Sequence, residues 1–462
     1  MLAPLAVSIF NPGESCIPYL ICIGITGGSG VIMMALRQRS SDMGKREAIV
    51  LTASTWVILS LFGMLPFLLT DTLHSVTDAF FETISGFTTT GASVLSSLNN
   101  VPKSILVWRC VTQWIGGLGI ILFTLAVVPM LNSPGGMQMF NAEVTGITHD
   151  KLRPRVSYTA KGLWGIYAIL TALLVILLNF SDMGFYDSLC YGLSTMSTGG
   201  FPTTDAGIHA METVYVKIVM IIFMFLGGVN FALIFNSVTG YTKGILNNTP
   251  LKAYLICIGG GTVLFIIDQL INKTTFNWSD LSLDPLFQSV SILSSTGIAE
   301  PDFHDWGSLS VVVMIIMMVI GACAGSTSGG AKIDRIVILL RFLKNEFYKM
   351  MHPGAVTTVI MNGKGTTNAI VNKTLAFLFI YIFTIIAGGL ALSLLGLNLS
   401  DGLYCALQAI SNTGLGSDAT GVYGDYSHIA PAGKWILGMI MLIGRLEIFT
   451  VLLLFTPSFW RR

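Results

Sequence analysis

Of 462 residues, 53% are hydrophobic and only 11% are charged, with a formal net charge of +1. A soluble domain carries roughly 25% charged residues to wet its surface, so a large soluble protein is excluded, and the near-neutral balance gives nucleic acid no electrostatic footing. The seven cysteines, Cys16, Cys22, Cys110, Cys190, Cys257, Cys323 and Cys405, lie mostly in apolar runs without metal-ligand or redox spacing.

Residues 1–10 are apolar and end at the turn Asn11-Pro12-Gly13-Glu14. They read as the end of a first helix or as a short interfacial segment. A cleaved signal peptide does not fit, because no basic stretch precedes them. A bilayer core of ~30 Å is crossed by ~20 apolar residues. Uncharged runs of that kind occupy 17–36, 48–70, 110–140, 162–181, 218–242, 306–331 and 374–400. Two more contain charge: 253–272 holds Asp268, and 435–460 holds Arg445 and Glu447. Together these predict nine crossings. Shorter apolar stretches at 79–87, 185–196, 285–294 and 401–411 are too short to cross. They read as re-entrant helices, which survive in a membrane only where protein or water surrounds them.

Basic residues sort the connections. Arg37, Arg39, Lys45 and Arg46 follow the first span, Lys151, Arg153 and Arg155 the third, and Lys243 and Lys252 the fifth. Arg335, Arg341, Lys344 and Lys349 follow the seventh, and Arg461 and Arg462 close the chain. The positive-inside rule puts these in the cytoplasm. The alternate connections carry Asp71, Asp78, Asp182, Asp187, Asp205, Asp280, Asp284, Glu300, Asp302, Asp305, Asp401, Asp418 and Asp425 and face outward. An odd number of crossings then begins outside and ends inside.

A unit of long helix, short helix, Thr/Ser-Gly loop and long helix recurs four times. The loops read Thr88-Thr89-Thr90-Gly91-Ala92, Ser197-Thr198-Gly199-Gly200-Phe201, Ser294-Ser295-Thr296-Gly297-Ile298 and Ser411-Asn412-Thr413-Gly414-Leu415. The predicted fold is therefore an all-α membrane protein with four pseudo-symmetric helix–pore-loop–helix repeats around one central pore. An N-terminal helical unit (1–40) precedes repeat 1 (41–145), repeat 2 (146–245), repeat 3 (246–350) and repeat 4 (351–462). Rings of backbone carbonyls replace the hydration shell of a cation, potassium above all. Aiming successive carbonyls at one axis takes the backbone out of helix and strand, and glycine accepts the required positive φ without steric cost. The C-terminal ends of the short helices add about half a negative charge each, which favours a cation there. The filter is assigned to Thr89, Thr90 and Gly91; Thr198, Gly199 and Gly200; Ser295, Thr296 and Gly297; and Asn412, Thr413 and Gly414. The alternatives are turns used only for packing and a substrate site in a transporter.

Residues 306–342 would be about 55 Å long as one straight helix at ~1.5 Å per residue. Their middle reads Gly321-Ala322-Cys323-Ala324-Gly325-Ser326-Thr327-Ser328-Gly329-Gly330-Ala331, so many glycines and hydroxyls that an unwound segment is expected. Gly321, Gly325, Ser326, Thr327, Ser328, Gly329 and Gly330 read as a flexible gate below the third loop, or as close helix packing through small residues. Arg445 and Glu447, two apart, do not face each other on a helix. Arg445 reads as an electrostatic barrier toward the cavity beneath the filter, and Glu447 as a partner for Lys332 or Arg335; the alternative for both is a structural salt bridge. Arg109, Gln113, Asp268 and Lys434 are expected to snorkel to the interface. Trp108, Trp114, Trp306 and Trp435 are expected in an interfacial belt.

These residues resemble the superfamily of bacterial TrkH and KtrB potassium uptake proteins, with plant and fungal relatives. The resemblance runs from about residue 40 to 462. It is carried by Asp78-Ala79-Phe80-Phe81-Glu82 with Thr88-Thr89-Thr90-Gly91-Ala92, by Gly116-Gly117-Leu118-Gly119-Ile120, by Gly329-Gly330-Ala331-Lys332, and by Gly444-Arg445-Leu446-Glu447 through Phe455-Thr456-Pro457. The extra unit before the first repeat is similar to TrkH rather than KtrB, although its first helix is reduced here to residues 1–10. The resemblance implies a glycine in each filter loop. It implies potassium rather than sodium, because plant relatives that pass sodium carry serine where Gly91 stands. It also implies that Arg445 stands by the gate, that two chains pair in the bacterial inner membrane, and that a cytosolic ring of nucleotide-binding TrkA-like subunits docks on the basic inner face. No nucleotide motif is present in this chain, so nucleotide control would come from the partner, and no cofactor beyond transported K+ is expected.

Two other classes compete. A proton- or sodium-coupled potassium symporter with alternating access also uses repeats and broken helices, but typically two inverted repeats, whereas these four run in one orientation. A membrane enzyme would need paired carboxylates, His/Cys clusters or a nucleophile constellation. The spans carry none, and His74, His149, His209, His304, His352 and His428 all fall between them.

Overall fold

The computed structural model of the protein describes residues 1–36, 45–130, 156–207, 213–240, 247–272, 278–299, 306–416 and 425–460. Among the described residues the structure is helical, with one small hairpin of β1 (Val359–Met361) and β2 (Lys364–Thr366) paired antiparallel. Of the basic positions expected in the cytoplasm, Arg37, Arg39, Lys151, Arg153, Arg155, Lys243, Arg461 and Arg462 lie outside the described residues. So do Glu300, Asp302, Asp305 and Asp418 of the acidic set.

Two helices, α1 (Leu2–Phe10) and α2 (Ile17–Ala35), precede the first repeat. Their connection is fixed by polar contacts. Glu14 accepts from the backbone N–H groups of Lys103 (2.8 Å) and Ser104 (3.3 Å), where a helix beginning leaves donors without partners. Tyr19 Oη lies 2.6 Å from Ser104 Oγ.

The helix, short helix, helix unit then recurs. It comprises α3 (Lys45–Gly63) continued by α4 (Leu65–Leu69), then α5 (Val76–Phe87) and α6 (Lys103–Met130). Next come α7 (Val156–Asn179), α8 (Phe185–Met196) and the pair α9 (Val214–Gly228) and α10 (Phe231–Val238). The third unit is α11 (Thr249–Asn272), α12 (Trp278–Leu293), α13 (Ser308–Ile320) and α14 (Ile333–Met351). After the hairpin follow α15 (Asn368–Leu394), α16 (Leu399–Ser411), α17 (Pro431–Arg445), α18 (Ile448–Leu453) and α19 (Pro457–Trp460). Among the described residues five helices are long and apolar enough to cross a membrane, or six with the bent α9–α10 pair counted as one span. One large apolar core joins the second and third units, and another joins the first to the fourth.

Among the described residues the closing helix of a unit is broken in three of the four cases. The run 306–331 stops at Gly321 (φ +67°) and stays unwound to Lys332 (φ +72°), as expected. Two breaks were not anticipated. The run 218–242 bends by 100° between α9 and α10. Asn230 Oδ1 accepts from the N–H groups of Ala232 (2.8 Å) and Leu233 (3.2 Å) and so starts a new helix. The run 435–460 breaks after Arg445, with Glu447 at φ +61°.

Several residues expected at the membrane interface are inside. Asp268 is buried and accepts from Ser310 Oγ (2.6 Å) and Asn272 Nδ2 (2.9 Å), tying α11 to the start of α13. Lys434 is buried against Asp78 (2.5 Å) and Ser427 O (2.9 Å). Trp108 is buried and donates to Gly63 O (2.9 Å), Trp306 packs on Phe265, and Trp114 donates to Thr171 Oγ1 (3.1 Å). Trp435 alone of the four tryptophans is largely exposed, stacked on Phe80 at 4.6 Å.

Candidate functional site at the meeting of four loops

Each short helix ends in the same backbone figure. The residue two before the loop glycine is left-handed: Thr89 (φ +54°), Thr198 (+56°), Ser295 (+54°) and Asn412 (+51°). So are the glycines, Gly91 (+87°), Gly200 (+76°), Gly297 (+72°) and Gly414 (+62°). A non-glycine residue held there costs on the order of 1–3 kcal/mol and persists only where its surroundings over-determine it. Here the helix end does so. The N–H groups of Thr90, Gly199, Thr296 and Thr413 turn back to the carbonyls of Ser85 (2.9 Å), Ser194 (3.0 Å), Ser291 (2.8 Å) and Gln408 (3.2 Å). In each of these trans peptides the N–H faces the helix, so the carbonyl of the preceding residue, Thr89, Thr198, Ser295 or Asn412, faces away from it.

The four loops meet. A Cβ on Gly91 would strike Gly199 O, one on Gly200 would strike Thr296 O, one on Gly297 would strike Thr413 O, and one on Gly414 would strike Thr90 O. Each glycine thus lies against a carbonyl of the next loop, and the cycle closes from the fourth repeat onto the first. Gly91, Gly199, Gly200, Gly297, Thr413 and Gly414, drawn from all four loops, line one cavity. Thr89, Thr198, Ser295 and Asn412 stand one level deeper and are buried. All twelve sequence-assigned loop residues are therefore gathered in one place. Among the described residues no cluster of three or more His, Cys, Asp or Glu side chains is placed to hold a metal ion. The oxygens that converge here belong to peptides.

Two buried polar side chains of α6 brace the loops, contrary to the expectation that they snorkel. Arg109 donates to Glu82 Oε1 (2.7 Å), Ser93 Oγ (3.1 Å) and Pro202 O (3.3 Å), and its guanidinium lies 4.1 Å from the Phe201 ring. Glu82 also accepts from Val94 N (2.9 Å). The first loop is thereby fastened to the second. Gln113, one turn further along, donates to Gly199 O (2.7 Å) and accepts from Ser194 Oγ (2.8 Å). Asn412 Nδ2 bridges Thr90 Oγ1 and Met441 O, both at 3.0 Å.

The unwound segment lies against the helix ends beneath these loops. Gly329 N donates to Ser295 Oγ (2.6 Å), and a Cβ on Gly329 would strike Ser411 O. Thr327 Oγ1 donates to Gly227 O (3.1 Å), and Asn230 Nδ2 to Ala324 O (2.7 Å), so the break between α9 and α10 receives the segment. Arg445 donates to Thr327 O (2.6 Å) and Gly116 O (3.0 Å). It therefore grips the segment rather than standing free in the cavity. Lys332 donates to Ser328 O. Glu447 takes Arg335 (2.5 Å), which also lies 3.8 Å over Phe377.

Sequence reading missed Asn230 and the roles of Gly116, Arg109 and Gln113. The last two carried a signal: they sit four apart on an apolar helix and so share a face.

Comparison with known proteins gives a consistent neighbourhood. The family description "TrkH: Cation transport protein" matches residues 19–462. The Trk system potassium uptake protein TrkH of Salmonella typhimurium is 34% identical over 432 residues, covering 92% of this chain and 88% of that protein. TrkH of Vibrio parahaemolyticus is 32% identical over 470 residues, covering 100% and 96%. The crystal structure of the potassium transporter TrkH from Vibrio parahaemolyticus superposes with a TM-score of 0.90 at 30% identity, covering 100% of this chain and 96% of that one.

Proposed function

The chain belongs to the TrkH family of cation transport proteins, and from that premise we propose that it is the pore-forming subunit of a potassium uptake system. It is a transport protein and not an enzyme. In this reading, potassium sheds water and takes peptide oxygens from the rings of Thr90, Gly199, Thr296 and Thr413 and of their neighbours. The observation that carries it is the closed cycle in which each loop glycine abuts a carbonyl of the next loop. A turn kept only for packing has no reason to repeat one left-handed pattern four times and close it into a ring.

The segment 321–330 is then the gate, held shut by Arg445 through Thr327 O. The filter side faces outward and the C-terminus faces the cytoplasm of the inner membrane. Two chains pair, and a cytosolic TrkA-like nucleotide-binding ring supplies regulation.

The test is cation flux into vesicles carrying the purified protein. Gly91→Ser and Gly297→Ser each place a Cβ against a neighbouring carbonyl and distort the ring. Sodium is expected to enter both variants, with the preference for potassium falling about tenfold or more, since a loss of ~1.4 kcal/mol in discrimination is a factor of ten. Unchanged preference in both variants would refute the filter. Imposed proton and sodium gradients in the same vesicles test coupling: uptake that follows only the potassium gradient supports a channel-like path.

A further inference from the structure

One loop departs from the pattern of the other three. Where they place Thr90, Thr296 and Thr413, the second loop has Gly199. Each of those threonines has its Oγ1 close to the hydroxyl two residues earlier: Thr88 at 2.8 Å, Ser294 at 2.7 Å and Ser411 at 2.9 Å. Ser197 has no threonine hydroxyl at that place, and its Oγ keeps only the bonds back to the helix, at Leu193 O (2.8 Å) and Ser194 O (2.9 Å).

The missing side chain's volume is filled from another repeat. A Cβ on Gly199 would strike Gln113 Cδ and would lie 2.7 Å from both Nε2 and Oε1. Gln113 is fully buried. Its amide uses both ends on the second loop and the helix before it: Nε2 donates to Gly199 O (2.7 Å), while Oε1 accepts from Ser194 Oγ (2.8 Å) and Phe201 N (3.3 Å).

We propose that Gln113 is the fourth side chain of the ring, a positioning residue that α6 of the first repeat delivers to the second loop in place of a threonine. Two adjacent glycines, Gly199 and Gly200, leave that stretch of backbone freer than its three counterparts. A carbonyl whose peptide is held in one orientation keeps one coordination distance, which is what a filter that selects by cation size requires. Gln113 removes the freedom by holding the loop at Gly199 O and at Phe201 N, one residue to each side of Gly200. It also leaves the ring asymmetric, because Gly199 O alone of the four carries a side-chain amide donor among the described hydrogen bonds. The proposal rests on the reading that the four carbonyls line a potassium path.

The experiment compares potassium, rubidium and sodium flux through vesicles carrying wild type, Gln113→Leu, Gly199→Thr, the double variant Gln113→Ala/Gly199→Thr, and Gly297→Ser. Gln113→Leu keeps bulk and loses all three hydrogen bonds; its potassium-over-sodium preference is expected to fall about tenfold, the scale of one buried hydrogen bond. Gly199→Thr alone collides with Gln113 and is expected to lower flux. The double variant restores the threonine pattern of the other loops, and its preference is expected to return to within a few-fold of wild type. A loss of preference in Gln113→Leu, which keeps the bulk, is not produced by a residue that merely fills space. Wild-type preference in Gln113→Leu, or a double variant no more selective than Gln113→Leu, overturns the role of Gln113. Should Gln113→Leu fail to fold, the double variant alone decides: recovered selectivity supports the proposal and absent selectivity overturns it. Gly297→Ser separates the two levels. If it shifts selectivity while Gln113→Leu does not, only the role of Gln113 fails; if neither shifts it, the filter reading itself fails.

Discussion

Glu82 and Arg109 form an ion pair with neither side chain more than 1% exposed, and that burial decides what their loss does. An exposed pair is worth about 0–1 kcal/mol. Removing one partner of a buried pair leaves a charge without water or counter-ion and costs roughly 3–5 kcal/mol. Arg109→Met is therefore expected to lower the thermal transition of the detergent-solubilised protein sharply, and to loosen the first two loops, since Arg109 also holds Ser93 Oγ and Pro202 O. The double variant Glu82→Leu/Arg109→Met leaves no orphaned charge and should recover part of that loss. A thermal transition in Arg109→Met equal to wild type would contradict the buried pairing.

At the scale of elements, the broken closing helices belong together. The unwound segment 321–330 fits into the break between α9 and α10 through Asn230 and Gly227, and Arg445 grips it just before the break in the fourth repeat. Gly116 lets α6 run close under the first short helix: a Cβ there would strike Phe87 O. Its carbonyl then offers Arg445 a second acceptor. Deleting Ser326 to Gly329, or replacing Arg445 with Ala, removes that hold, and either change should raise potassium flux measured without any partner. Loss of flux from correctly folded protein in both would count against the gate. The third break was legible beforehand because glycine and hydroxyl residues crowd it. The second was not: Gly227-Gly228-Val229-Asn230 is short, and its meaning depends on a segment almost a hundred positions later in the chain. The loops were legible because local conformation demands glycine at Gly91, Gly200, Gly297 and Gly414. Arg109, Gln113 and Asp268 were misread because an isolated polar residue in an apolar helix looks alike whether it reaches for water or for a distant loop.

On the scale of the whole molecule, a ring made from one chain must close between its ends, and that closure is non-covalent. Lys434 pairs with Asp78 (2.5 Å), Tyr426 N donates to Ser93 O (2.8 Å), and Asn412 Nδ2 donates to Thr90 Oγ1 (3.0 Å). The apolar core shared by the first and fourth repeats backs these contacts. The fourth repeat is joined covalently to the third through residues 352–358, where His352, Pro353, Gly354 and Val356 are exposed. An exposed turn of this kind tolerates a break. Two fragments, 1–354 and 355–462, produced together in one membrane should therefore copurify and restore selective potassium uptake to cells lacking their own systems. The fragment 1–354 alone has Thr90 O and Asp78 facing no partner and a ring of three loops, so it should not discriminate potassium from sodium. Selective uptake by the first fragment alone would mean that the fourth loop is not part of the path. Fragments that copurify without uptake would mean that the covalent link positions the loop, and that the contacts between the first and fourth repeats are too weak to set the ring without it.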